Sequence, residues 1–236
     1  MYDLRARIGL MIPSLNTALE SEANLIKPTG VSFHAARMKI TATTEVGLAE
    51  MATHAEIAAR DLNDIDPNCI IYGCTSGSFI KGLAWEHALV ERLEQVAHTK
   101  VITTSGAVVQ AISAFGKKKI SIATPYIKEV NDLAVKFFSE CGFGICAIQG
   151  LGRSKKGEIR AVKYEDVYRL GKSVMTPDTE LLLLSCTEMR SMRIIEQMEI
   201  DFGIPVISSN QCDVWAALRY CGIKDKLPGY GSLFDN

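Results

Sequence analysis

The chain has 236 residues, with 26 Lys and Arg against 27 Asp and Glu, 47% hydrophobic residues and seven cysteines. At roughly 150 residues per domain this is one large domain or two lobes, either able to bury a real core, and bulk disorder is excluded. A net charge of −1 supplies no basic field for nucleic acid or an anionic membrane surface, so neither is expected as a partner.

Short β-rich runs at 8–12, 31–38, 69–72, 101–103, 119–124, 145–151, 181–185 and 206–208 are mostly apolar without alternation, the pattern of strands buried on both faces. Segments with helical spacing lie between them, at 17–25, 45–62, 79–97, 108–115, 127–141, 164–174, 190–202 and 212–220. Strand then helix, repeated along the chain, predicts an α/β protein whose parallel sheets are covered by helices. No stretch approaches the ~20 apolar residues that span a bilayer, and the apolar run before Pro13 is too short for a signal peptide. The cysteines, at 69, 74, 141, 146, 186, 212 and 221, are odd in number and lack the regular spacing of a disulfide framework. They read as reduced thiols of a cytoplasmic protein.

The sequence also repeats itself. IGLMIP at 8–13 resembles ISIATP at 120–125, a strand ending in proline; CIIYGCT at 69–75 resembles LLLLSCT at 181–187, a strand ending in Cys-Thr, at the same offset of 112 residues. A third pair, VITTSG at 101–106 and VISSN at 206–210, recurs at an offset of 105. Two half-chains of similar plan account for all three. In open parallel sheets ligands sit beyond the carboxyl ends of the strands, and every recurring feature lies at such an end. Halves packed about a pseudo-twofold axis would therefore bring Cys74 and Cys186 to one cleft, as acid and base or as nucleophile and acid.

A thiol with an ordinary pKa of ~8.5 needs help to ionise. Both Cys-Thr pairs end a strand and precede a predicted helix, whose N–H groups and dipole should favour an anion. Thr75, Ser76, Ser78 and Thr187 add neutral hydroxyl donors suited to a carboxylate. Asn16 is either a helix cap or a donor to such a ligand, and Tyr126 either packs or donates. Thr17 with Glu20 fits a capping box and reads as structural. The histidines have no paired metal spacing, Cys141 and Cys146 lack a partner pair, and neither a phosphate-binding glycine loop nor a G-x-S-x-G elbow is present. The expected chemistry uses no metal and no cofactor.

Taken together, Pro13-Ser-Leu-Asn16-Thr17, Gly73-Cys74-Thr75-Ser76, Thr124-Pro125-Tyr126, Ser185-Cys186-Thr187 and the C-terminal PGYGSLF resemble the maleate cis-trans isomerase and arylmalonate decarboxylase branch of the aspartate/glutamate racemase superfamily. The resemblance covers essentially the whole chain. It implies two pseudo-symmetric lobes, each a four-stranded parallel sheet flanked by helices: 1–99 plus 206–236, and 100–205, with the active site between them. It implies a small carboxylic acid as substrate and a homo-oligomer, dimer or higher. The decarboxylase shares Thr75-Ser76, Tyr126 and the C-terminal motif but keeps only the second-half cysteine; the isomerases carry both cysteines and the Pro-Ser-x-Asn-Thr stretch. The chain departs from the isomerases in the Thr-Ser-Gly-Ser after Cys74 and in lacking a counterpart, within 153–160, of an asparagine they use. The resemblance thus implies isomerisation of maleate to fumarate with Cys74 and Cys186 catalytic, and with Asn16, Thr75, Ser76, Tyr126 and Thr187 binding substrate. Racemisation, decarboxylation through Cys186 as proton donor, and non-catalytic carboxylate binding are the alternatives.

Overall fold

A computed structural model describes residues 4–236; residues 1–3, at the start of the expected first lobe, lie outside it. Eight parallel strands form two four-stranded sheets. The first, in the order β2-β1-β3-β4, comprises β1 (Ala6–Pro13), β2 (Val31–Met38), β3 (Cys69–Tyr72) and β4 (Val101–Thr103). The second repeats the order as β6-β5-β7-β8, with β5 (Lys119–Thr124), β6 (Gly144–Gly150), β7 (Leu181–Leu184) and β8 (Val206–Ser208). The registers match too: Met11 pairs with Tyr72, and Ala123 with Leu184. Cys74 and Cys186 each follow two residues after those partners, at equivalent places.

The helices are α1 (Leu19–Ile26), α2 (Glu45–Ala52), α3 (Ala55–Asn63), α4 (Thr75–Phe79), α5 (Leu83–Ala97), α6 (Thr104–Ala114), α7 (Lys128–Glu140), α8 (Tyr164–Ser173), α9 (Ile195–Phe202) and α10 (Ser209–Tyr220). The segment expected as one helix over 45–62 breaks at Thr53, whose hydroxyl donates back to the Glu50 carbonyl. That over 79–97 breaks at Gly82, which adopts φ 84. α6 and α10 start earlier than their apolar spacing indicates, because Thr103 and Ser208 cap them through their hydroxyls.

The strand pairing divides the chain differently from the expected lobes. Residues 101–103 pair with β3 in the first sheet, and 206–208 pair with β7 in the second. The crossing is made by the helices that follow these edge strands: α10 packs on α6, α1, β3 and β4. One hydrophobic core runs through both lobes, joining Ile8, Leu10, Ile12 and Ile71 of the first sheet to Leu181, Leu182, Leu183 and Leu184 of the second. A smaller core lies on the other face of the first sheet, where Met11, Met38, Ile70 and Tyr72 meet Leu48 and Met51 of α2. All four residues of β3 and of β7 are buried, which explains their unalternating sequence. None of the helices in 4–236 is long and apolar enough to cross a membrane.

Candidate active site

The carboxyl ends of both sheets face one cleft, lined by Pro13, Leu15 and Asn16 after β1, by Cys74, Thr75 and Ser76 after β3, by Tyr126 after β5 and by Cys186, Thr187 and Glu188 after β7. Cys74, Cys186, Asn16, Thr75, Ser76, Tyr126 and Thr187 therefore line the same cavity; Ser78, also expected as a donor there, does not, and its hydroxyl is turned to the Thr75 carbonyl. Ile40, Leu48 and Ile159 give it an apolar wall, and Lys155, Lys156 and Arg160 stand at the loop after β6.

Cys74 caps α4, and its Sγ accepts the Gly77 N–H at 3.3 Å. Cys186 is followed by a turn, and a short 3₁₀ segment begins only at Met192. The expected helix directly behind Cys186 is thus absent, although its Sγ still accepts the Glu188 N–H at 3.4 Å. The sulfurs are 5% and 6% exposed by residue, and this decides their protonation. Burial pushes the Cys74 thiol up to about 12, against the Gly77 N–H and the Ser76 hydroxyl, which lower it. Burial likewise pushes Cys186 up to about 11, against the Tyr126 hydroxyl and the Glu188 and Met189 N–H groups, which lower it. The expected depression by helix dipoles is outweighed by desolvation, which favours the neutral thiol at both positions.

Between the sulfurs runs a line of hydroxyls. Ser76 Oγ lies 3.9 Å from Cys74 Sγ, and the Tyr126 hydroxyl lines the same cleft, near enough to Cys186 to lower its thiol. Tyr126 is 2% exposed, and burial holds its phenol well above the ordinary range. Its position depends on Gly150, where a Cβ would sit 2.1 Å from the Tyr126 carbonyl oxygen.

Asn16 takes the first of the two roles open to it, as a helix cap. Its Oδ1 accepts the N–H groups of Ala18 and Leu19 at 2.9 and 3.0 Å, so it starts α1, while its Nδ2 donates to Thr187 Oγ1 across the lobes at 3.0 Å. The Thr17–Glu20 capping box does not form. With the first N–H groups taken by Asn16, Thr17 turns its own N–H and hydroxyl to Glu188 of the other lobe, and Glu20 pairs with Arg37 at 2.7 Å. Thr187 donates its hydroxyl proton to the Gly73 carbonyl at 3.2 Å, and Thr75 donates its own to Ser209 Oγ at 2.9 Å. Both threonines thus brace the cleft with their side chains, leaving Asn16, Ser76, Tyr126 and backbone N–H groups as the remaining donors of the cleft. Glu188, Ser209 and the Glu22–Asn210 pair were not legible as site elements; their partners lie more than a hundred residues away, and no local motif marks them.

Comparison with known proteins fits this geometry. A family model described as arylmalonate decarboxylase matches residues 8–234. A maleate isomerase of Nocardia farcinica is 29% identical over 237 residues, covering 96% of this chain and 94% of the relative. An arylmalonate decarboxylase of Bordetella bronchiseptica is 27% identical over 231 residues, covering 97% and 96%. Among solved structures, a cysteine-to-serine mutant of the Nocardia farcinica maleate cis-trans isomerase with a covalently bound succinylcysteine intermediate superposes with a TM-score of 0.94 at 26% identity, over 97% of this chain and 98% of that one.

Proposed function

Because the chain belongs to the arylmalonate decarboxylase family, we propose that it is the two-cysteine kind of enzyme within it, a cis-trans isomerase that converts maleate to fumarate without a cofactor. The observation that carries this reading is the pair of buried thiols at equivalent strand ends, lining one cleft with the Ser76 and Tyr126 hydroxyls. The succinylcysteine held by the related isomerase supports a covalent route.

Neutral thiols set the order of events. Cys74 Sγ adds to one alkene carbon, forming the C–S bond, and the π electron pair moves to the neighbouring carbon and its carboxylate as an enediolate. Cys186 gives its proton to that carbon. The Cys74 proton passes through Ser76 and Tyr126 to the Cys186 sulfur, so neither thiolate has to persist in a buried site. The adduct turns about the former double bond, now single; Cys186 then takes the carbon proton as its own thiol proton returns through Tyr126 and Ser76 to the Cys74 sulfur, and breaking of the C–S bond releases the trans acid. The second Nδ2 hydrogen of Asn16, together with the N–H groups of Thr75 and Ser76 at the start of α4, holds the carboxylate on which charge develops, and one such donor contributes about 3 kcal/mol at a transition state.

Proton NMR of maleate incubated with reduced protein tests the reading: the vinyl resonance of fumarate should appear at millimolar substrate, and its absence would sink the assignment.

One observation favours a second reading. The wall of Leu15, Ile40, Leu48 and Ile159 suits an acid with an apolar substituent, as in decarboxylation of an arylmalonate with Cys186 as proton donor. Phenylmalonate in the same NMR assay separates the two.

A further inference from the structure

The third repeated motif, at the junctions of β4 with α6 and of β8 with α10, touches no reacting atom, yet all of it but Gly106 is buried. Ser209 and Asn210, the first residues of α10, are both 0% exposed. Ser209 accepts from Thr75, beside Cys74. Asn210 Nδ2 donates at 3.1 Å to the carbonyl of Thr187, beside Cys186, and at 2.6 Å to Glu22 Oε2 on α1. The other Glu22 oxygen accepts the N–H groups of Ser191 and Met192 at 3.0 Å each. A single buried carboxylate and a single buried carboxamide thereby hold both ends of the turn 187–192.

The two halves of the site depend on this junction unequally. Cys74 is seated on a helical turn, and the Thr75 carbonyl beside it is tied separately by Ser78 and Ser105 at 2.8 and 3.2 Å. The turn after Cys186 has no helix behind it, so its placement relies on groups from other elements. Asn210 Oδ1 finds no hydrogen-bond partner among the described residues, a deficit that an apolar residue filling the same space would avoid. What the side chain contributes in return is the position of its NH2 group.

We propose that Asn210, seated on Glu22, is the positioning residue that sets Cys186 against Cys74, so that its loss impairs proton removal by Cys186 while leaving addition by Cys74 in place. The proposal rests on the isomerase reading for its kinetic form and on geometry alone for its reactivity form. A carbanion can be protonated by stray water, whereas withdrawing a proton from carbon needs a placed base; the adduct is therefore the species that should accumulate.

The test compares parent, Asn210→Ala, Glu22→Gln and Ser209→Ala as full-length proteins. Glu22→Gln keeps the volume of the brace and offers a folded protein if the alanine variant is unstable. During turnover of maleate, intact mass should show Asn210→Ala and Glu22→Gln loaded with one maleic acid on Cys74, with kcat lower by on the order of tenfold or more. Ser209→Ala should slow the reaction without accumulating adduct. Separately, iodoacetamide labelling read by peptide mass should show faster alkylation of Cys186 in the first two variants and an unchanged rate at Cys74. Parent-like labelling of Cys186 with no adduct build-up would overturn the proposal. Should the parent itself not turn over maleate, the isomerase reading falls, and the labelling decides the positioning role alone: selective gain at Cys186 supports it, equal rates overturn it.

Discussion

Burial raises Cys74 to about 12 and Cys186 to about 11, so at neutral pH each retains its proton and the nucleophile has to be made during the reaction. The labelling rate of an ordinary cysteine levels off above its pKa of ~8.5, whereas a thiol raised as these are should gain about tenfold per pH unit from pH 7 to 10 with no plateau. Iodoacetamide labelling across that range checks this, and a plateau by pH 9 would contradict it. Tyr126→Phe removes the hydroxyl that lowers Cys186 and carries the relay. It should slow Cys186 labelling at fixed pH and reduce kcat by on the order of 10²-fold, with KM changed far less.

At the scale of elements, the site is made by strand ends whose positions the chain fixes through close contacts. Gly73, just past β3, admits no side chain: a Cβ there would lie 2.2 Å from Leu19 Cδ2 and 3.1 Å from the Met11 carbonyl oxygen. Gly73→Ala should cost about 1–3 kcal/mol in urea unfolding through overpacking, and it should lower kcat by moving the carbonyl that Thr187 holds. The strands were legible because β3 and β7 are short apolar runs, and the Cys-Thr repeat placed Cys74 and Cys186 at matched ends. Helix starts were less so. Thr103 and Ser208 are ordinary polar residues in the sequence, and only the fold shows their hydroxyls capping α6 and α10. The Thr17–Glu20 pattern satisfied a local rule that Asn16 pre-empted, because Asn16 reaches the same N–H groups and Glu188 competes for Thr17.

Over the whole molecule, the two sheets are joined by a common core and by polar ties across the cleft: Asn16 with Thr187, Thr187 with Gly73, Thr75 with Ser209, and Glu22 with Ser191 and Met192. None of these pairs could be read from the chain, since each joins residues far apart in sequence whose meeting depends on how the lobes dock. The ties hold two buried thiols at a fixed relation, which is what an addition followed by elimination requires. Recognition of an acid by a nearly neutral protein then rests on local groups of the cleft, its neutral donors together with Lys155, Lys156 and Arg160. The most direct measurement of this account is the intact mass of Cys186→Ser and Cys74→Ser proteins after incubation with maleate. Cys186→Ser should gain the mass of one maleic acid on the peptide that contains Cys74, and Cys74→Ser should gain none; an adduct or fumarate formation persisting in Cys74→Ser would contradict it.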